Sequence, residues 1–560
     1  MALLSAALSL TLGSLIIALL YSGVCLFRNY LVARKFGVPV RIILIDHINP
    51  FWLVVDRRVL SLVKCLPFGL GSNSFTRYNF RGWEVPDRYF SHHEMGDAYV
   101  LVSPGNIWLY VADPDTVVDI QRRGNEFPRD VSVTAILDVF GPNISTAQGA
   151  QWLKHRRITA SSFNDQNNVI VWSECVAVAH DILRYWTSKP AVQTAADDLR
   201  TLSLHVMSRA GFGKSSKFQS QEERDAAEPA GGMNYQGSLK MILENCVLIF
   251  ALGRKTLSYP WLPSKLQQLN KACVSFQSHM TKVYEEEKQL IAEGRNADRN
   301  FMASLVRASQ DARLGGLTES EIYGNMFTFN FAGHDTTAHT FTFALYFLAA
   351  NPGVQDWVSE EINYVMGQCP PEEWVFSDSA RLKRCLAVMY ETLRLYTPVP
   401  TSKIVDGNLP QSLVIGNKTF VLPPKTMIVP SYASLQTDPK YWGNDSLVWR
   451  PSRFIRSPSQ GGASTQPFDD EEFINPRRGT FLAWSGGARD CVGRKFSQVE
   501  FVAVMASLFR DWRVKPVMAE GETAEAARKR VLDQIETDSA PVLLLQMLHP
   551  ERCPLVWEKR

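Results

Sequence analysis

The chain has 560 residues, 46% of them hydrophobic, and a formal net charge of +3. That is enough apolar material for a large core, and the near-neutral balance argues against a nucleic-acid partner held by charge. Nine cysteines, an odd number with no CxxC pair and no zinc-type Cys/His spacing, argue against a disulfide framework or a structural zinc site. They fit reduced thiols in a cytosolic setting.

Residues 2–27, ALLSAALSLTLGSLIIALLYSGVCLF, carry no charge. As a helix they would span roughly 40 Å, enough to cross a hydrocarbon core. There is no basic segment before the apolar run, as a cleaved signal would have. The first charges, Arg28, Arg34, Lys35 and Arg41, all follow it. The positive-inside rule then puts the N-terminus in the lumen and the rest of the chain in the cytosol. The sequons at Asn143, Asn417 and Asn444 would thus not meet the glycosylation machinery. The next stretch, VPVRIILIDHINPFWLVV (38–55), is interrupted by Arg41, Asp46 and His47, so a second span is disfavoured. It reads as an interfacial or core segment.

From about residue 60 the pattern is mainly helical with short strand-like runs. AYVLVSP (98–104) and NIWLYVAD (106–113), divided by Gly105, predict a hairpin. TFVLPP (419–424) and TMIVPSY (426–432) predict further strands, and 152–186, 269–294, 318–350 and 494–512 predict long helices. Polar stretches at 214–232, 457–472 and 519–530 read as surface loops. The expected fold class is mainly α with small β-sheets (α+β), arranged as one large domain behind an anchor.

The residues that carry chemistry come in five places. QWLKHRR (151–157) sets Trp152 and Arg156 one turn apart, an indole N–H beside a guanidinium, suited to a carboxylate on a ligand. FNFAGHDTTAHT (329–340) interrupts an apolar helix with Asp335 and Thr336 just after Ala332 and Gly333. On one face it presents Phe329, a gap at Ala332 and Gly333, then the Thr336 hydroxyl. A plain kink at Gly333 with Thr336 bonded back to a carbonyl explains the same residues. ETLR (391–394) allows an intrahelical Glu391–Arg394 pair, which Arg453 of WRPSRFI (449–455) could complete. Last, WSGGARDCVG (484–493) sets Cys491 among Gly486, Gly487 and Gly493, two residues after Arg489. By itself that sulfur could be a nucleophile, a redox centre, a metal ligand or a buried hydrophobe.

Taken in order, these motifs resemble the cytochrome P450 superfamily, the haem-thiolate monooxygenases. The resemblance runs from about residue 98 to 512, and the hydrophobic leader matches membrane-bound eukaryotic members. The polar inserts and LQTDPKYWG (435–443) look like fungal members of specialised metabolism. The resemblance implies haem b, with Cys491 as the thiolate ligand of its iron and the nearby glycines freeing backbone amides to face the sulfur. It implies that Trp152, Arg156 and Arg489 hold the propionates and that Ala332 and Gly333 border the cofactor. Asp335 and Thr336 would be the acid–alcohol pair that delivers protons to dioxygen, and Glu391, Arg394 and Arg453 a structural cluster. Trp484 stands where the family usually has Phe. No role follows for His334, which reads as solvent-facing or satisfied in the core.

The implied organisation is an anchor at 1–28, a membrane-proximal linker at 29–60 and a haem-binding catalytic domain at 61–560. The implied reaction inserts one atom of O2 into an apolar small molecule, by hydroxylation or epoxidation. No FMN-, FAD- or NADPH-binding extension is present in the sequence, so NADPH–cytochrome P450 reductase in the same endoplasmic reticulum membrane is the implied electron donor. Arg494 and Lys495 could contribute to its docking face, or form a plain solvated surface. Of Phe327, Phe329 and Phe331, only Phe329 is placed toward the haem by periodicity. Two other readings keep the haem: a P450-fold isomerase or dehydratase that does not use O2, and a non-catalytic ligand-binding protein. A cysteine hydrolase fits poorly, with no histidine after Cys491 until His549.

Overall fold

A computed structural model describes residues 2–213, 218, 233–294, 300–310, 316–457 and 468–560. The predicted loop at 214–232 and most of that at 457–472 lie outside these residues. The backbone divides into two compact units: 1–133, 400–446 and 477–489 form the first, and 134–399, 447–476 and 490–560 the second.

The first unit opens with helix α1, Ala2–Ala33. Among the described residues, Leu12–Phe36 is the one helical stretch long and apolar enough to cross a membrane, with a mean hydropathy of 1.8. The interrupted segment 38–55 forms strand β1, Val40–Ile42, and the start of α2, Pro50–Lys64. Asn49 caps α2, its side-chain oxygen accepting from the Trp52 amide at 3.1 Å.

The predicted hairpin is present: β2, Ala98–Val102, pairs antiparallel with β3, Ile107–Val111. Both strands are buried along their whole length, as their unbroken β-branched and aromatic runs require. Alternation sends Val100, Val102, Leu109 and Val111 to one core and Tyr99, Leu101, Trp108 and Tyr110 to another. With β4, Lys403–Ile404, and β7, Met427–Pro430, they make a five-stranded sheet of order β1-β2-β3-β7-β4. Strands β5, Gln411–Ile415, and β6, Lys418–Leu422, form a separate hairpin.

The second unit is built on helices. The predicted helix over 152–186 is two helices, α3 (Gly149–Ala160) and α4 (Asp165–Thr187). The break is local chemistry: Asn164 stays extended and caps α4 through the Asn167 amide at 3.0 Å. Helices α5, Ala195–Phe212, α6, Tyr235–Glu244, and α7, Ser264–Ala292, follow. A Thr318–Glu321 capping box starts α8, Glu319–Ala350, which continues through Gly333 without interruption. Helices α9, Lys383–Leu395, and α10, Arg494–Phe509, bracket the remaining motifs. The predicted loop at 519–530 is partly helical, because Thr523 caps α11, Ala524–Thr537. The chain is therefore mainly α with small sheets, as expected.

Candidate functional site

Helix α8 carries the first part of the site. Between Glu321 and Ala350 every residue is buried except Ala332, Gly333 and Thr336. These three form a window halfway along an otherwise enclosed helix. Thr336 donates its hydroxyl back to the Ala332 carbonyl at 2.6 Å. The helix is continuous there, and the back-bond of the alternative explanation is present.

Gly333 departs from the expected gap. A Cβ placed there would strike Met207 of α5, whose Cε lies 2.9 Å away. The missing side chain lets two helices approach closely. Phe329 departs too: its ring packs on Phe163 at 5.8 Å and Phe301 at 6.1 Å, and is buried between them. Phe327 is turned to Phe140 and Phe276.

Asp335 is buried on the flank of this window and faces Arg200 of α5, whose Nε lies 3.3 Å from Oδ1. Arg200 also reaches His339 Nε2 at 3.3 Å and Gln546 Oε1 at 3.0 Å. Burial alone would raise the Asp335 pKa, but His334, Arg200 and His339 together hold it below the ordinary carboxylate value. Burial pushes His339 down to about 3, so it is neutral and accepts from Arg200. His334 is neither solvent-facing nor satisfied: it is buried, with Nδ1 3.5 Å from Asp335 and no hydrogen bond on that nitrogen. These groups border a cavity of about 210 Å³ together with Lys240 and Asp197.

Cys491 is exposed at the edge of a cleft of about 540 Å³ bordered by Arg156, Phe163, Tyr390 and Arg494. The flanking glycines divide their work. Gly493 is the one beside the sulfur: a Cβ there would stand 3.8 Å from Cys491 Sγ and 3.6 Å from Phe163. Gly486 and Gly487, in the first unit, admit Gln121 instead, where any side chain would collide with it. Gly487 also has a φ of 70°, which a side chain rarely tolerates. Trp484 packs on Phe481 at 5.8 Å.

Trp152 and Arg156 lie on α3 as expected, but the Arg156 guanidinium is engaged. It donates to the Asp490 carbonyl at 2.7 Å and to the Asp490 carboxylate at 2.5 Å. A carboxylate next to the cysteine satisfies it within the chain, a partner that the Trp-x-x-x-Arg spacing could not reveal. Arg489 belongs to the first unit, where Arg129 and Lys403 stand close by. Burial, then Arg129, push Arg489 down to about 10. Burial, then Arg129 and Arg489, push the Lys403 ammonium down to about 8. Cations that repel one another this way are stabilised by an anion between them. Sequence reasoning missed Arg129, Lys403 and Arg200, which no spacing connects to the motifs, and His339, which its i,i+4 spacing from Asp335 could have found.

Glu391 is fully buried and bonded by Arg394 Nε at 2.7 Å, Arg453 Nε at 2.9 Å and the Arg450 amide at 2.7 Å. The weak i,i+3 pair of the sequence is thus part of a buried cluster. Arg494 donates to the Tyr390 hydroxyl at 2.9 Å.

The model of the family described as Cytochrome P450 matches residues 84–536. The chain belongs to the cytochrome P450 family. A cytochrome P450 monooxygenase of Arthrobotrys oligospora is 25% identical over 93% of this chain and 94% of its own length. A Penicillium roqueforti monooxygenase of the same family is 26% identical over 92% and 93%. The phomenoic acid biosynthesis cluster cytochrome P450 monooxygenase of Leptosphaeria maculans is 29% identical over 89% and 90%.

As a cytochrome P450 the chain is an oxidoreductase of the monooxygenase class, and haem b is the cofactor of its family. The residues present fit that group. An accessible cysteine and an uncovered turn of a buried helix, both in the second unit, are what a flat, thiolate-ligated group requires.

Proposed function

We propose that this P450 uses O2 and electrons from NADPH–cytochrome P450 reductase to hydroxylate or epoxidise an apolar small molecule of specialised metabolism. The organisation proposed is an anchor at 1–28, a linker at 29–60 and a haem-binding catalytic domain at 61–560. The anchor places the chain in the endoplasmic reticulum membrane as a single-pass protein with its catalytic part cytosolic. The fungal relatives support the pathway class, and the apolar helix α1 supports the anchor.

One observation carries the reading: the uncovered turn midway along α8 holds Ala332 and Thr336, with the charged Asp335 beside it. Haem, when bound, supplies oxygen activation and insertion. Cys491 is its proposed ligand, and Ala332 and Gly333 border it. Trp152, Arg156 and Arg489 would take its carboxylates, and Arg129 and Lys403 stand beside Arg489 in the first unit. For Arg156 this requires sharing or releasing Asp490. Thr336 offers a hydroxyl that already has one acceptor in the Ala332 carbonyl, so its own oxygen is free to accept a proton-bearing water. Asp335, kept ionised, can take a proton from the cavity it borders and pass it inward. An acid held beside an alcohol has no use in an O2-independent rearrangement.

The test is a reduced, carbon-monoxide difference spectrum of membranes carrying the protein, beside a Cys491→Ser control. The long-wavelength Soret band of thiolate ligation is expected in the first and absent in the second. A folded, haem-loaded protein without that band would refute the assignment of Cys491. Reductase-dependent NADPH consumption with substrate candidates then separates O2 chemistry from isomerisation.

A further inference from the structure

Between Trp152 and Arg156, helix α3 carries two residues that turn to the start of α8 instead. Lys154 Nζ donates to both carboxylate oxygens of Glu321, at 2.8 and 2.9 Å. His155 is wholly buried and meets Asn325 Nδ2 through its Nδ1 at 2.8 Å. Asn325, also wholly buried, accepts from the Ile144 amide at 3.0 Å through Oδ1 and donates through Nδ2 to the Glu321 carbonyl at 2.7 Å. A backbone amide only donates and a carbonyl only accepts, so these two bonds fix which end of the Asn325 amide faces the imidazole. His155 Nδ1 is therefore the acceptor, and its proton sits on Nε2, 3.4 Å from Glu321 Oε1. Burial holds the imidazole below its usual pKa, against the pull of Asn325 and Glu321, so it is neutral.

One amide side chain thus joins α8, α3 and the loop at 141–147. What it joins matters for the site. One residue beyond His155, Arg156 clamps Asp490 beside Cys491. Two turns beyond Asn325, α8 opens at Ala332. The bridge therefore links the element that steadies the cysteine loop to the helix that carries the uncovered turn, all within the second unit.

We propose that Asn325 and His155 are positioning residues for the monooxygenase reaction: a buried, neutral bridge that fixes α3, and through Arg156 the cysteine loop, against α8. The proposal rests on the reading of Cys491 as the haem ligand.

Asn325→Asp in the full-length haem protein tests it. The new carboxylate can still accept from Ile144, but it has no hydrogen for His155. The bridge re-forms only when the imidazole gains a proton and becomes the donor. The charged groups already facing that imidazole are Glu321 of α8 and Lys154 of α3, and a second carboxylate raises its pKa. A raised histidine stabilises the fold below its unfolded value near 6.5 and loses that contribution as pH rises through the folded value. The depressed histidine of the natural chain does the reverse.

From pH 6 to pH 8.5 the variant should therefore lose about tenfold in hydrogen-exchange protection of α3, one unit of pKa shift, while α5 serves as the internal reference. Its share of thiolate-type carbon-monoxide band should fall over the same range, and neither should fall in the natural chain. Adding His155→Gln, which does not titrate, should remove the trend. Natural protection and spectrum at both pH values overturn the proposal, as do a trend that survives His155→Gln and an equal loss in α5. If Asn325→Asp does not fold at either pH, His155→Gln against His155→Leu decides. The glutamine keeps an acceptor for Asn325 and should hold the thiolate-type share, and equal losses overturn the bridge. A natural chain without the thiolate band refutes the assignment of Cys491 instead, and the protection of α3 still decides for or against the bridge.

Discussion

Arg156 holds Asp490 twice, through its carbonyl at 2.7 Å and its carboxylate at 2.5 Å, and so ties α3 to the residue immediately before Cys491. The Asp490 side chain is about half exposed, so water screens the carboxylate bond. Asp490→Asn is expected to cost less than ~1 kcal/mol of stability and to keep the thiolate-type carbon-monoxide band. Arg156→Leu also removes the carbonyl bond, and a measurable share of its haem should shift to the band of lost thiolate ligation. Identical spectra for the two variants would show that the carbonyl clamp does not steady the cysteine loop.

Arg200 should set the protonation of Asp335. Burial opposes ionisation of that carboxyl, and His334, Arg200 and His339 overcome it, leaving the pKa below its ordinary 3.8. A depressed acid contributes stability above its unfolded pKa and loses it as pH falls through the folded value. At neutral pH the group is therefore charged. In Arg200→Leu, burial has less to overcome it, and the carboxyl takes up its proton at higher pH. The acid limb of the kcat profile should move to higher pH. An unmoved acid limb with lowered KM or stability would reduce Arg200 to a structural role.

Glu500 makes the opposite prediction. It is fully buried on α10, and burial, opposed by the Ser203 hydroxyl, pushes its pKa up to about 8. The unfolded acid ionises near 4.5, so the folded state keeps a proton that the unfolded chain has released. Stability should fall as pH rises from that value towards 8, by a total on the order of 5 kcal/mol. Glu500→Gln should raise the Tm at pH 8 and leave it nearly unchanged at pH 5. Equal effects at both pH values would mean that Glu500 is ionised in the fold.

Two glycines of α8 should respond differently to alanine. At Gly324 a methyl would meet backbone, with the Pro142 carbonyl oxygen 2.5 Å away, and backbone cannot step aside. Gly324→Ala should cost about 1–3 kcal/mol. At Gly333 the obstacle is the flexible end of Met207, so Gly333→Ala should cost less, and Gly333→Ala with Met207→Ala should cost less than the sum of the two single losses. Thermal denaturation of the variants decides, and equal losses would contradict the distinction.

What the sequence revealed follows the reach of each signal. The Glu391–Arg394 pair was legible because both residues share one turn, and the β2–β3 hairpin because its runs are continuous and a glycine divides them. The SSFN break between α3 and α4 is local as well, but the apolar pattern on both sides masked it. Arg200 and Asp335 meet only when α5 crosses α8, and periodicity does not show which helix will cross. For the same reason Gly333 read as a gap, when its partner Met207 fills the space. The crowding of Arg129, Lys403 and Arg489 depends on a strand and two loops distant in sequence.

Met207 presses its thioether into the notch at Gly333, one residue along from Ala332 in the uncovered turn midway along α8. Sulfur is the most easily oxidised atom in such a place, and a sulfoxide is larger and polar. The notch has no room for the extra oxygen. Each oxidant molecule that escapes productive turnover thus endangers the contact between α5 and α8. The working lifetime of the enzyme is then set by how tightly it couples oxygen use to product, and methionine sulfoxide at this position would record its failures.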